Sequence, residues 1–363
     1  MIKAQNKQFL ILQAIAIILV VVGHMYSASS AQNALQIYSY HMALFVFISG
    51  YFFKIESVSN IPLFIWGKMK RLVIPYFAWN LVYAIILFVL IKRGVVGDFH
   101  GVKYDDIFTV RRFFIQPWID GYQYILNLAA WFVLILFITQ VLYVVIRFFY
   151  EKLKVNNEWL LQIVLLLIGF IALFCVNNNV FEGFNEIYRP FVKTLFFLPF
   201  YHFGYYYKSK LEKKDTLHNA WYFLILLVIW YFIIVDIPEL DYSVVNLGFR
   251  GNSFIPFLTS FVGILFWLRV AKNIQKYIGD NKFLEFLGAN TWSIMLHHFF
   301  VFFLINYLLS KLNLNSFDYN VFRTDVWYSY HPLLPAPVYW ILAILIPLLW
   351  QYFFDYIKKL FQR

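Results

Sequence analysis

The chain has 363 residues, of which 62% are hydrophobic, 23% aromatic and only 13% charged. Soluble domains carry about a quarter charged residues, whereas here apolar runs of roughly 17–25 residues, long enough to cross a hydrocarbon core of about 30 Å, recur from end to end. This excludes a soluble enzyme, and the single cysteine, Cys175, excludes an intramolecular disulfide or a cysteine metal cluster.

Residues 1–363 read as one all-α polytopic membrane domain. About ten transmembrane helices are expected, near 8–26, 36–53, 72–91, 128–147, 158–175, 190–207, 219–236, 254–270, 285–308 and 334–355. Ten crossings put both termini on one side. That side collects Lys3 and Lys7, then Lys54, Lys68, Lys70 and Arg71, then Arg147, Lys152 and Lys154. Lys208–Lys214, Arg269–Lys282 and Lys358–Arg363 continue the series. Two thirds of the 30 basic residues fall there but fewer than half of the 19 acidic ones, so both termini are expected to be cytoplasmic. The net charge of +11 then reflects topology and anionic membrane lipids, and nucleic acid is not an expected partner. A cleavable leader ending at the Ser/Ala-rich stretch after His24 is the alternative reading of the first span. It would leave nine spans and break the alternation of charge.

Polar groups inside a membrane are costly and mark candidate sites. In the first span, Gln13 and His24 are eleven residues apart. Eleven steps of about 100° return to nearly the same face, about 16 Å further along the axis. His41 opens the second span, preceded by Tyr38 and Tyr40; Ser49 and Gly50 follow and suit close helix packing. Lys68, Lys70 and Arg71 form a basic run at the cytoplasmic edge, able to hold lipid phosphates or those of a soluble cofactor. The outer loop near 92–127 offers Trp118, Tyr122 and Tyr124, as interface anchors or as platforms for a sugar ring. Loop 176–189 carries Glu182, Glu186 and Arg189, and loop 309–333 is rich in Asn and Asp; such mixtures suit hydroxyl-rich ligands and also ordinary solvated loops. In the ninth span, Ser293 and His297 share a face at i, i+4. His297 and His298 differ by about 100° and lack carboxylate neighbours, so no metal site is expected. Each of these histidines has a structural alternative, as an interfacial or interhelical hydrogen-bonding group.

Six pieces of the chain resemble, in order, the acyltransferase-3 family of integral membrane acyltransferases: AIAIILVVVGH (14–24), YSYHMALFVFISGYFFK (38–54), KMKRLVIPYFAWN (68–80), AAWFVLILF (129–137), FLPFYHFGYYYK (197–208) and LGANTWSIMLHHFF (287–300). Within the family the chain is most similar to fucose 4-O-acetylase-like glycan acetyltransferases. The resemblance implies O-acetyl transfer from cytoplasmic acetyl-CoA to a hydroxyl of a cell-surface or exported glycan, or of a lipid-linked glycan, in a bacterial plasma membrane. It implies His24 as the family's first-helix histidine and places Lys70 and Arg71 in its cytoplasmic basic patch. Two departures stand out. The segment around His41 lacks the family's proline, and Gln13 stands where many members carry an arginine. Glutamine supplies no fixed charge for a cofactor phosphate, so either another cation such as Lys7 or Arg71 substitutes, or donor binding is altered or lost.

The mechanism that follows gives His24 the role of general base on the acceptor hydroxyl, with His41 or a tyrosine orienting it. An imidazole titrating at about pH 6.5 suits proton removal at neutral pH, and no metal is required. Lys68, Lys70 and Arg71 would hold the donor, with its acyl arm threading between the first, second and ninth spans. Trp131, Arg189, Ser293 and His297 are the candidates to meet the substrate or the oxyanion. The rival reading is a glycan or lipid-linked glycan transporter, or the export subunit of a polysaccharide synthesis system. The pattern leaves the oligomeric state open, a homo-oligomer included.

Overall fold

The computed structural model describes residues 6–24, 35–97, 104–119, 121, 124–183, 186–236, 240, 242–249, 252–312 and 336–361. Most of the first outer loop, Tyr122, and the Asn/Asp-rich part of the last outer loop lie outside the described residues.

Each expected span contains helix. The first, α1 (Lys7–Gly23), begins where the Asn6 side chain accepts the Phe9 N–H, satisfying one of the donors a helix start leaves unpaired. It ends at His24, whose own N–H still reaches the Val20 carbonyl at 3.2 Å. A 3-10 turn, Ile37–Ser39, leads into α2 (His41–Tyr51). Next, α3 (Ile61–Lys68) is capped by Asn60 and runs through a π turn, Met69–Val73, into α4 (Ile74–Lys92). A short turn at Ile125–Ala130 precedes α5 (Trp131–Lys152), followed by α6 (Glu158–Asn177), α7 (Tyr188–Tyr206) and α8 (Asn219–Asp236). The chain continues through α9 (Ile255–Ile278), ended by Gly279 at φ 71°, the short α10 (Lys282–Ala289), α11 (Thr291–Lys311) and α12 (Ala336–Phe361). Among the described residues there is no strand, only an isolated bridge between Ser243 and Gly248.

Six stretches are long and apolar enough to cross a membrane: 55–92, 125–152, 158–177, 255–278, 291–311 and 337–360. Helices α1 and α2 and most of α8 are apolar but shorter. The chain is therefore an all-α, multi-pass membrane protein.

The central element is α1, which packs against α2, α9, α10, α11 and α12. Its apolar residues face protein nearly all round, with Phe9, Ile11, Leu12, Ala14, Ala16 and Val21 fully buried. Lipid is as apolar as leucine, so helices in a membrane associate by close backbone approach and polar contacts rather than by hydrophobic burial. Both devices are present. A Cβ on Gly288 of α10 would lie 1.9 Å from the Leu10 carbonyl oxygen of α1. At the α2–α7 crossing, a Cβ on Gly50 would lie 1.8 Å from the Tyr201 oxygen, and one on Gly204 2.1 Å from the Phe47 oxygen.

The ion pairs between elements gather at the end of the bundle that carries the basic runs. Buried Arg147 of α5 reaches both carboxylate oxygens of Glu158 on α6, at 2.6 and 3.1 Å, and also Glu151. Asp215 receives Arg269 and Lys272 of α9, and Tyr51 at the end of α2 donates to Glu212 at 3.0 Å. Ion pairs of this kind offset the cost of burying the guanidinium groups and tie the helix ends together.

Candidate active site

A cavity of about 410 Å³ opens between α1, α2, α5 and α11, within the range usual for small-molecule sites. Ile17, Val20, Gly23 and His24 supply the α1 wall. Ile17, Val20 and His24 lie four, seven and eleven residues beyond Gln13, so half-buried Gln13 continues the same helix stripe towards the basic end. Helix α2 contributes His41, Met42 and Phe45; α5 contributes Trp131 and Phe132; α11 contributes Thr291, Trp292, Met295 and Phe299. Leu72, of the π turn, lines the same space one residue beyond Arg71. The walls are mostly apolar, and the polar groups converge at the end where α1 stops and α2 starts.

That convergence has a defined geometry. His24 caps α1, and its Nδ1 lies 3.3 Å from the Tyr38 hydroxyl. Tyr38 meets His41 edge-on, with ring centroids 5.1 Å apart. The Nδ1–H of His41 donates to the Ile37 carbonyl at 2.8 Å, which leaves Nε2 as the nitrogen that accepts. On the other side of His24, Phe299 packs at 4.7 Å and the His298 ring stacks at 5.4 Å. His298 is fully buried and donates from Nδ1 to the Ile294 carbonyl at 2.9 Å; among the described residues its Nε2 has no hydrogen-bond partner.

The other predicted residues divide clearly. Trp131 lines the cavity, and its ring carries the ammonium of Lys193 at 5.3 Å. It is seated by Gly121, whose φ of +80° and absent side chain are both required, since a Cβ there would lie 2.3 Å from that of Trp131. Lys68 and Lys70 lie over the rings of Phe64 and Trp66, at 5.2 and 4.9 Å, and Arg71 is exposed beside Leu72. All three flank the cavity's basic end without lining it.

His297 and Ser293 turn towards α4 and α12 instead. His297 Nδ1 is 2.6 Å from the Tyr83 hydroxyl, with Trp79 and Trp350 packed on the ring, and Ser293 donates to the Pro347 carbonyl at 3.0 Å. Both therefore sit outside the cavity, bridging helices. Arg189, in the first turn of α7, pairs with Glu186 of the preceding loop at 3.3 Å. Trp118 packs on Phe77 and Phe137, and Tyr124 donates to the Ile107 carbonyl at 2.8 Å, so neither aromatic ring of that loop faces the site.

Three features were not singled out by sequence reasoning: His298 as the partner of His24, buried Lys193, and the loop 242–249. His298 is hidden by its neighbour, because two adjacent histidines give no sign of which faces α1. Lys193 carried a usable signal, an ionisable group within a span. The loop carried another: Leu240, Tyr242, Val244, Leu247 and Phe249 make it too apolar for a solvated connection.

No group of three or more potential metal ligands occurs among the described residues. The model of a family described as an acyltransferase domain matches residues 7–355. No curated protein and no solved structure matches the chain.

Proposed function

The chain belongs to the acyltransferase-3 family and is a membrane acyltransferase, and from that premise we propose that it transfers an acetyl group from acetyl-CoA to a hydroxyl of a cell-surface or exported glycan. The observation that carries this reading is a single cavity holding His24, Tyr38 and His41 at one end and reaching Leu72 and Thr291, beside Arg71, at the other. A thioester entering from the basic end and a hydroxyl entering from the histidine end meet in one place.

In this reading the long adenine nucleotide stays at the basic end. Lys68, Lys70 and Arg71 attract its phosphates, and the half-buried start of α11 adds backbone N–H groups at Thr291. The pantetheine arm and acetyl group lie along the apolar wall formed by Val20, Met42, Phe132 and Met295. Lys70 and Arg71 supply the fixed charge that Gln13 lacks.

His24 is the general base. With Nδ1–H donating to the Tyr38 oxygen, Nε2 is the nitrogen that removes the acceptor proton. The deprotonated oxygen attacks the thioester carbonyl, forming the new C–O bond. Collapse of the tetrahedral adduct breaks the C–S bond, and the proton on His24 passes to the departing sulfur. The products are the acetyl ester and free CoA, with protons balanced and no other reactant. General-base placement of this kind contributes about 10²–10⁴-fold. Tyr38 keeps the imidazole in one orientation, His41 lines the approach of the hydroxyl, and the Trp131 N–H is the candidate donor to the oxyanion.

His24→Ala tests the proposal in cells that carry the acceptor glycan. Mass spectrometry should show acetyl-sized increments disappearing while the amount of surface glycan holds. Loss of surface glycan with acetylation per sugar intact would instead select the transport reading.

A further inference from the structure

Part of the connection between α8 and α9 is buried in the molecule. Its residues 242–249 fold back into the molecule as a tight hairpin, with the Ser243 N–H on the Gly248 carbonyl at 3.0 Å and the Gly248 N–H on the Ser243 carbonyl at 2.9 Å. Tyr242, Val244, Leu247 and Phe249 are buried, and the Phe249 ring lies 5.3 Å from that of Phe196 on α7. The Gln36 side chain accepts the Leu240 N–H at 3.2 Å, joining the hairpin's entry strand to the start of α2. Leu247 sits at φ +57°, a conformation that costs a leucine roughly 1–2 kcal/mol and persists only where the surroundings impose it. The hairpin is thus anchored on both sides.

Its turn forms a wall of the cavity that holds His24. Residues 242–246 all line that space, together with Trp131, Tyr38 and His41. The hairpin brings two polar side chains there, the Ser243 hydroxyl and the Asn246 carboxamide, and among the described residues neither makes a side-chain hydrogen bond. A carboxamide offers donors and an acceptor together, and a hydroxyl does both. Neighbouring hydroxyls on a sugar ring present the same alternation, and the C–H face of such a ring packs on aromatic surfaces like those of Trp131 and Tyr38. The hairpin also joins the C-terminal end of α8 to the N-terminal end of α9, away from the basic runs Lys208–Lys214 and Arg269–Lys276. It therefore faces the side from which an exported acceptor arrives.

We propose that the hairpin 242–249 is the acceptor subsite, in which Ser243 and Asn246 bind the hydroxyls of a pyranose ring and so select which hydroxyl reaches His24. The proposal rests on the acyl-transfer reading above. It predicts a separation of kinetic constants that a merely structural loop would not produce.

The test uses the full chain in lipid nanodiscs, radiolabelled acetyl-CoA, and p-nitrophenyl pyranosides of gluco, galacto and fuco configuration. Consumption of acetyl-CoA and label on the sugar are followed separately. Asn246→Ala and Ser243→Ala should each raise the acceptor KM by about five- to tenfold, the equivalent of one neutral hydrogen bond, and should alter the ranking of the three sugars. The acetyl-CoA KM should move by less than about twofold. Unchanged acceptor KM and ranking in both variants would overturn the proposal. So would an equal rise in both KM values, which would make the hairpin a support for the whole chamber. If the unsubstituted protein consumes acetyl-CoA but labels none of the pyranosides, the sugar subsite falls while acyl transfer stands. If it does not consume acetyl-CoA at all, the acyl-transfer reading fails first and takes the subsite with it. A thermal unfolding midpoint matching that of the unsubstituted protein shows that the exposed Asn246 side chain was removed without loss of fold.

Discussion

The contact between His24 and Tyr38 provides the most direct quantitative check on the catalytic reading. Tyr38→Phe removes only the hydroxyl that lies 3.3 Å from Nδ1 of His24 and keeps the ring that packs on both His24 and His41. Nothing large is left behind, so cavity and packing costs stay small. The effect on His24 is the loss of the hydrogen bond that holds the imidazole in its working orientation. A neutral hydrogen bond contributes about 0.5–1.5 kcal/mol net, and at about 1.4 kcal/mol per factor of ten this is about a two- to twelvefold loss in kcat/KM. The separation of 3.3 Å is at the long end for such a bond, which favours the lower half of that range. His24→Ala removes the base itself and should cost about 10²–10⁴-fold. The assay is initial-rate transfer of labelled acetyl groups by the detergent-purified protein, with acceptor and acetyl-CoA each varied. The expected pattern is graded, with a small loss in kcat for Tyr38→Phe and a large one for His24→Ala. If Tyr38→Phe costs as much as His24→Ala, the hydroxyl rather than the imidazole carries the chemistry. If His24→Ala retains more than a tenth of the activity, His24 is not the base and the argument fails.

Two further outcomes follow from other parts of the molecule. Gly204→Ala puts a methyl group 2.1 Å from the Phe47 carbonyl oxygen, and α2 and α7 must separate to accept it. At about 1–3 kcal/mol for overpacking, the thermal midpoint in detergent should fall by several degrees, whereas Gly67→Ala, with nothing within 4 Å of the added group, should leave it in place; equal midpoints would contradict the close crossing. Replacing Lys70 and Arg71 together by alanine should raise the acetyl-CoA KM with kcat nearly constant, and the ratio of variant to unsubstituted KM should shrink as salt rises, because exposed charges act over a Debye length of only about 8–10 Å at ordinary ionic strength. A KM ratio independent of salt would assign donor binding to other groups.

What was legible in the sequence followed from cost. Histidines and basic residues are expensive in lipid, so His24, His41 and the run Lys68–Arg71 stood out without any structure, and the spans followed from apolar length; the asparagine caps that fix several helix starts, Asn6, Asn60, Asn157 and Asn281, were not read from the sequence. What was illegible followed from direction. Period alone put Ser293 and His297 on one face, and they do share one, but it looks towards α4 and α12, while the neighbouring His298 meets His24. Only the rotation of α11 about its axis decides between the two, and that rotation is set by its partners. Trp131 was readable as a candidate, yet its seat on Gly121 and its contact with Lys193 depend on segments distant in the chain. The hairpin 242–249 was passed over because it lies between spans, where a polar connection is the default expectation.

The close helix crossings bear directly on the chemistry. His24 ends α1, and α1 is held by backbone approach at Leu10 and Gly288; His41 begins α2, which is held the same way at Gly50 and Gly204. Side-chain packing tolerates small shifts, but a carbonyl oxygen that would lie within about 2 Å of a Cβ leaves almost no freedom for the helix to slide. A misplacement of about 1 Å at a reacting centre can cost about a hundredfold in rate. The two imidazoles are thus positioned from the far ends of their helices, some distance from any substrate. Under the proposed mechanism, glycines remote from the cavity act as positioning residues for the two imidazoles. Even a well-folded Gly50→Ala or Gly288→Ala protein should lose transfer rate out of proportion to its loss of stability.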